Sequence, residues 1–486
     1  KKLAAEGSMA EIGAREAANI VRSLSLIKRA PPNLVSMVSE VSFAERLVRE
    51  DGPKGISQVL HGLSETRQGA PALVKLMDRD EVVEKFERDP KVGEIAKTVA
   101  ALAGFKAECP KLVGLLGKEA VVERLSQSRD QRSINAVLVG VHKLQQCFDH
   151  GGSSSNRSSH PVPSNLTSAL DDVARVESLS YRVPSPVMAQ QFRALSRLGS
   201  ASPNMAREIL RNAEMHSRLH PNLLSSTMRA YSQENYRCDE LVKFVDERCK
   251  RDPDEMARRG SSTFLSSMLH MTSRLGCFWA SNFYSAFTAQ STRISEQGRE
   301  GDTRSCTKAL VGLALAGRIG ENEEAAREMW EAMMYRAQDL TQGNLRELYH
   351  TQLLAGVEGV QLDFTDEVQT NVDNFNLKNR DHAANHSTQF PPRSAAQQVL
   401  EGLARAMIDA DCDLPINRHP LVDSGDGGVL TTFNLALPHA DRPVGIDVPV
   451  EGSFLLDLEK GTRSLDGRCL AKARLAESKG WTLITP

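Results

Sequence analysis

Several features are missing from this 486-residue chain, and each absence removes a class of function. No run approaches the ~18 apolar residues that a membrane span requires, so no membrane span is expected. Sixty basic residues stand against sixty-two acidic ones, a formal net charge of −2. The molecule as a whole is therefore no polycation, and any surface for nucleic acid has to be local. The eight cysteines, at 109, 147, 238, 249, 277, 306, 412 and 469, form no CxxC pair and no Cys/His spacing that would hold zinc. Reduced, partly buried thiols are expected. No glycine-rich phosphate loop, nucleophile elbow or His-Glu-x-x-His sequence occurs, and His142, His270 and His350 lack partners at metal-ligand spacing. The expectation is no enzyme activity, no cofactor, no metal and no small-molecule substrate. The chain opens on Lys1-Lys2 rather than methionine, and its location is not legible from that end.

What is present is a period. Pro32, Pro71 and Pro110 recur every 39 residues, and the same shift aligns Leu34 with Leu73 and Leu112, Leu47 with Phe86 and Leu125, Ile56 with Ile95 and Ile134, and Leu60 with Val99 and Leu138. A period of that size signals stacked helical repeats. Within one copy, Leu34, Val35, Val38 and then Leu47 fall on one helical face, while Ile56, Val59, Leu60 and Leu63 give a second helix at i, i+3, i+4, i+7 spacing. The unit predicted is a helix hairpin, with proline in the first turn of one helix, where its missing N–H leaves no bond unmade. Asp51-Gly52-Pro53 and Asp89-Pro90 are read as the breaks between the two helices. A hairpin cannot cover its own apolar face, so neighbours must stack, and an α-solenoid follows.

The 39-residue register fills a first array, 1–148. A linker is expected over 149–185, opening with Gly151-Gly152-Ser153-Ser154-Ser155-Asn156, a stretch too small and polar to pack. A second, looser array, 186–360, is marked by a recurring helix end at Gly199, Gly276, Gly317 and Gly356, with Asn235 in the glycine position of one copy. A second linker is placed at 361–393. The remainder, 394–486, reads as a small α/β domain: a helix over 394–409, strands over 429–437 and 444–448, a helix over 468–478 and a strand over 481–484. The predicted fold class is mainly α: two α-solenoid arrays of helix hairpins plus this C-terminal α/β domain.

The C-terminal segment resembles the RAP domain, on Leu465-Asp466-Gly467-Arg468-Cys469-Leu470-Ala471-Lys472-Ala473-Arg474-Leu475, Gly480-Trp481-Thr482-Leu483-Ile484, the strand Gly445-Ile446-Asp447-Val448 and Phe454. The resemblance covers under an eighth of the chain and lacks the family's first glycine. It implies a restriction-endonuclease-like fold and an organellar RNA-binding protein whose helical repeats precede the module. The family's metal-holding positions align with Asn434, Asp447 and Pro449. An amide and a proline there remove most of a metal site, so no catalysis is expected. With net charge near zero, the expectation is a mitochondrial protein held in a large ribonucleoprotein assembly, such as a mitochondrial ribosome, contacting rRNA and neighbouring proteins. A protein–protein scaffold, a metal-dependent RNA endonuclease and a plastid location stay open as alternatives.

The candidate RNA contacts are arginines and lysines, because a guanidinium pairs with phosphate or stacks on a base. Arg193 and Arg229 share one repeat position, and Arg197 and Arg274 share another, four residues later. The next copy has Val311 and Leu315 there, so the row is expected to be interrupted. Arg468, Lys472 and Lys479 make the candidate patch of the α/β domain, beside Trp481. Arg46, Lys85 and Arg124 also recur at the 39-residue period, but Glu45, Glu84 and Glu123 precede them and predict a charge-mixed, solvated face.

Overall fold

The computed structural model describes residues 13–26, 32–38, 40–69, 71–88, 91–107, 109–149, 163–182, 185–254, 258, 260–374, 417–418, 421–423, 429–432, 435–437, 443–447 and 453–484. After α1 (Ala14–Leu26), three copies of one pattern follow: α2 (Pro32–Val38), α3 (Val41–Glu50) and α4 (Gly52–Glu65); α5 (Pro71–Met77), α6 (Asp80–Arg88) and α7 (Val92–Phe105); α8 (Pro110–Leu115), α9 (Glu119–Gln127) and α10 (Gln131–Asp149). Each periodic proline is the first residue of its helix, as its fixed φ favours.

Each copy holds three helices rather than the expected hairpin of two. The first predicted helix breaks in the middle: Glu40 (φ −74°, ψ 142°) and Lys118 (φ −69°, ψ 135°) are extended and turn the chain. In the second and third copies acidic residues, Asp80 and Glu81 or Glu119, then occupy the first turn of the new helix, where they complement the backbone dipole. The apolar columns survive this break because both short helices pack inward. Leu47, Ile56, Leu60, Phe86, Ile95, Leu125, Ile134 and Leu138 are all buried.

A fourth copy lies where a linker was expected. The helices α11 (Ser164–Leu170), α12 (Val173–Arg182) and α13 (Ser185–Arg197) keep the internal spacing, since the second helix starts nine residues after the first in all four copies (32 and 41, 71 and 80, 110 and 119, 164 and 173). Residues 164–182 of the supposed linker are thus largely helical, and the boundary at 186 cuts through a repeat. Arg175 ties this copy down: it donates to the carbonyls of Leu170 (2.5 Å) and Ser126 (3.1 Å) and to Gln131 Oε1 (3.2 Å). The buried carboxylate of Asp171 accepts from the main-chain N–H of Asn204 and Met205, at the start of α14 (Pro203–Arg211), which α15 (Ala213–Arg218) follows.

The chain divides into two units, Lys1–Leu219 and His220–Pro486, instead of at the expected domain boundaries. In the first unit the long helices pack in sequence: α1 on α4, α4 on α7, α7 on α10 and α10 on α13. Among the periodic charges, Glu84, Glu123 and Arg124 are exposed, Arg46 is half-buried over the Phe43 ring, and Glu45 and Lys85 join successive copies, as does the pair Lys111 and Asp80. Arg79 pairs with Glu45 (3.4 Å), Lys111 with Asp80 (2.9 Å), and Lys85 Nζ donates to the Val48 carbonyl (2.8 Å).

The second unit contains α16 (Pro221–Gln233), α17 (Asp239–Arg251), α18 (Ser262–Arg274), α19 (Ser281–Thr288), α20 (Ser291–Glu300), α21 (Thr303–Ala316), α22 (Glu323–Tyr335) and α23 (Gln342–Val357). Here too long helices adjoin in order: α16 on α18, α18 on α21 and α21 on α23. The start of the expected 361–393 linker is helical over 366–374, and Val368 and Val372 are buried with Leu345 and Tyr349. The helix expected over 394–409 lies outside the described residues.

One measure runs through both units. A left-handed residue falls 14 positions after the first residue of its long helix in five cases: Val92 to Lys106, Ser185 to Gly199, Pro221 to Asn235, Ser262 to Gly276 and Thr303 to Gly317. This is the recurring helix end read from the sequence, with glycine or asparagine at most positions because a Cβ disfavours positive φ. Gly356 is not one of the set; the left-handed residue after α23 is Gly359 (φ 77°).

In the C-terminal segment a four-stranded sheet runs β1 (Asn417–Arg418), β4 (Leu435–Leu437), β5 (Val444–Ile446), β8 (Thr482–Ile484). The pair β5–β8 is parallel, and the crossover between them contains α24 (Gly467–Ser478). Two hairpins, β2 (Leu421–Asp423) with β3 (Val429–Thr432) and β6 (Phe454–Leu456) with β7 (Arg463–Leu465), complete it. The strand expected over 429–437 is therefore two strands in different sheets. Mainly α composition with this small mixed segment is what the chain has, and among the described residues no helix is long and apolar enough to cross a membrane.

The segment is seated on the left-handed ends of the second unit's helices. Leu456 N–H donates to the Asn235 carbonyl (2.7 Å), and Arg237 N–H donates to the Leu456 carbonyl (2.9 Å). A Cβ on Gly467 would stand 1.8 Å from the Ser273 carbonyl oxygen, so only glycine permits this approach. Arg474 donates to the carbonyls of Ala314 (3.0 Å) and Leu315 (2.6 Å), which end α21 beside Gly317.

Candidate functional site

The C-terminal turn of α18 and the adjoining helices bring cations together. His270 and Arg274 lie four apart on α18, hence on one face. Arg229 comes from α16, Lys308 from α21 and Arg468 from the first turn of α24, and all four cations act on the half-buried His270. Burial, followed by the charges of Arg274, Lys308, Arg468 and Arg229, pushes this imidazole down to about 4, so the ring is neutral at physiological pH. Burial and then Arg304 and Arg229 lower the ammonium of Lys308, against Asp302 and Glu347, which raise it. Burial and Arg468 lower Arg274, against the opposing pull of Asp466.

Such a grouping costs energy. Two unit charges 8 Å apart repel by about 2 kcal/mol at an effective dielectric of about 20. Several other arginines of the unit are discharged by partners: Arg318 bonds Glu321 and the Phe278 carbonyl, Arg327 bonds Glu323, and Arg336 pairs with Asp339. Among the described residues, the side chains of Arg229, Arg274, Arg304 and Lys308 make no hydrogen bond or ion pair. An anion seated here would supply the missing acceptors and relieve the repulsion at once.

The predicted contacts divide into three groups. Arg229, Arg274 and Arg468 converge on the cluster. Arg193 and Arg197 lie in the first unit, on α13, and flank His142 of α10, whose imidazole is lowered by burial and then by Arg197. Lys472 leaves the predicted patch, its ammonium bound to the Asp447 carboxylate (2.8 Å), while Lys479 is exposed at the C-cap of α24. The Lys472 side chain is only 23% exposed, whereas that of Arg468, also held by a carboxylate, is 51% exposed and can still face a phosphate. The pair of Lys472 and Asp447 also occupies the one member of the Asn434, Asp447, Pro449 set that falls among the described residues. No group of three or more His, Cys, Asp or Glu suited to a metal ion occurs among the described residues.

Arg468 is positioned by a buried acid. Asp466 caps α24, accepting the N–H groups of Arg468 (3.1 Å) and Cys469 (3.0 Å), and its carboxylate also holds the Arg468 guanidinium through Nε (2.7 Å) and Nη2 (2.6 Å).

Two members escaped the sequence reading. Counted from the start of each long helix, Arg193, Arg229, His270, Val311 and His350 share the ninth position. The signal for His270 was thus its alignment with arginines, not any metal-ligand spacing. The interruption foreseen at Val311 and Leu315 is bridged by Lys308, one turn earlier on the same face of α21. Leu315 is buried and its carbonyl receives Arg474, so the docked segment takes the place an arginine holds on α18.

No protein-family model matches this chain, and no curated protein matches it.

Proposed function

We propose that the chain is a non-catalytic RNA-binding protein: two α-solenoid arrays ending in a RAP-like module, working in the mitochondrion as part of a ribosome or another ribonucleoprotein. The cluster of Arg229, Arg274, Lys308 and Arg468 around neutral His270 carries the reading. Polyanions bind where cations are held together, and three of these four, Arg229, Arg274 and Lys308, have no hydrogen-bond or ion-pair acceptor among the described residues; a near-neutral protein confines that property to a local patch. The docked C-terminal segment supports the RAP resemblance with its parallel β5–β8 pair and the intervening helix. In this reading RNA is held rather than cut, since Asn434 and Pro449 stand at two of the three positions that would hold a metal.

In this reading the purified chain binds single-stranded RNA with an affinity that falls with salt. Replacing Arg229, Arg274 and Lys308 together by alanine lowers the slope of log K against log salt by about 2, at about 0.7 for each phosphate no longer neutralised. Incubation with magnesium or manganese leaves the RNA intact; cleavage abolished by Asp447→Ala would mark an endonuclease instead. Ultraviolet crosslinking in intact mitochondria is the physiological test.

A protein scaffold is the second reading, favoured by the exposed Tyr335 and Trp279, 72% and 46% accessible. Absence of RNA crosslinks, with co-sedimentation in a large complex that survives ribonuclease, would decide for it.

A further inference from the structure

The cluster draws on two parts of the second unit, helices of the repeat array and the first turn of α24. The contact that joins them is made by the residues immediately before two of its arginines: Gly467 lies against the Ser273 carbonyl. That approach puts a carbon built on Gly467 within 3.2 Å of Arg274 Cα, so Arg468, the next residue, starts beside Arg274. Asp466, only 1% exposed, fixes the Arg468 guanidinium, and Arg474 fastens the same helix to the end of α21, which carries Lys308.

We infer that Arg229, Arg274 and Lys308 of the helices and Arg468 of the C-terminal segment form one phosphate-binding pocket, completed only when α24 is docked. The inference rests on the RNA reading for the source of the phosphate, a backbone diester. On this account the C-terminal module is no independent RNA binder. It contributes one cation in a fixed place and locks the helices that carry the others. The neutral imidazole of His270 supplies a further hydrogen-bonding group at the same spot, and the acids around it, Asp466 near Arg274 and Asp302 and Glu347 near Lys308, stop the pocket from gathering excess positive charge.

The test uses the full chain and a fluorescein-labelled oligouridylate, read by anisotropy, with inorganic pyrophosphate as a second probe. Arg229→Ala and Arg274→Ala are expected to weaken RNA binding about 5- to 10-fold each. The double variant Asp466→Asn, Arg468→Ala removes one charge of each sign and keeps a capping oxygen for α24, so long-range field and fold are preserved. A comparable loss is expected from it. Arg474→Gln, which lies outside the pocket, is expected to lose several-fold by loosening α24, with hydrogen exchange of residues 467–478 rising in parallel.

Wild-type affinity in both the double variant and Arg474→Gln, while Arg229→Ala and Arg274→Ala are impaired, would overturn the shared pocket and leave RNA binding by the helices standing. Pyrophosphate binding that depends on the same four residues, with no RNA bound by the wild type, would keep the pocket and refute the RNA reading. Indifference of both probes to all four residues would overturn both.

Discussion

Replacing Gly467 by alanine tests the docking of α24, because helix propensity and packing disagree about the sign. Alanine is the better helix former by up to about 1 kcal/mol, so in isolation the change would strengthen α24. In the fold, the added methyl would stand 1.8 Å from the Ser273 carbonyl oxygen and 3.2 Å from Arg274 Cα, where ordinary contact begins near 3.4 Å. Both obstacles are main chain and cannot swing aside, so the N-terminus of α24 has to withdraw by more than an ångström. Overpacking of this kind costs about 1–3 kcal/mol, and any loosening of the Arg474 bonds to Ala314 and Leu315 adds to it. The net expectation is a loss of about 2 kcal/mol, confined to the C-terminal segment. Native-state hydrogen exchange on the whole chain reads this as a roughly 30-fold loss of protection in residues 467–478. Gly114→Ala is the control: it sits inside α8 with nothing within 4 Å of the added carbon, and a gain of up to about 1 kcal/mol is expected. Undiminished protection of α24 in Gly467→Ala would refute the close approach.

Arg175→Ala strips partners from the carbonyls of Leu170 and Ser126 and from Gln131, and should cost about 3 kcal/mol, seen as faster exchange in α11, α12 and α13. His270 contributes a pH term of defined sign. Its folded value of about 4 lies below the free imidazole's ~6.5, so the unfolded chain binds the extra proton, and stability falls as pH drops from 6.5 towards 4 and levels below. Urea titrations of wild type against His270→Gln should differ in slope across that window by up to about 3 kcal/mol in total, and a difference confined to higher pH would contradict the burial of the ring. Asp171→Ala removes the acceptor for the first N–H groups of α14 and should cost about 1–2 kcal/mol, measured by exchange in residues 203–211.

The sequence carried the period because proline at the start of a helix and leucine in its core each have few substitutes. Pro32, Pro71 and Pro110 therefore stand out, and so do the glycines that close the long helices. The helix count was less legible: the chain turns at Glu40 and Lys118, residues compatible with a continuous helix, and only an extended backbone shows the break. The fourth copy was hidden because it begins at Ser164, with proline displaced to position 163, and lies 54 residues rather than 39 after its predecessor. At the site, Arg229 and Arg274 were legible from their repeat positions. The fates of Lys472 and Arg468 were not, since their neighbours Asp447 and Asp466 are set by packing between a strand, a hairpin and a helix. Lys308 and His270 escaped because charge on an array is shared across helices, and a column that skips one position can be filled from the next turn.

The interval of 14 residues between the first position of a long helix and its left-handed end recurs in five of them, while the long helices begin 36 to 54 residues apart, as between Ser185 and Pro221 and between Gln131 and Ser185. Among those five, differences in length lie between one such end and the next long helix. The same stretches are the places where a reporter domain or protease site can be spliced in without disturbing the surface on which the C-terminal segment rests. A one-residue insertion within Thr303–Ala316 would instead rotate Lys308 out of line with Arg274 and move the Arg474 acceptors together, disabling recognition and assembly in a single step.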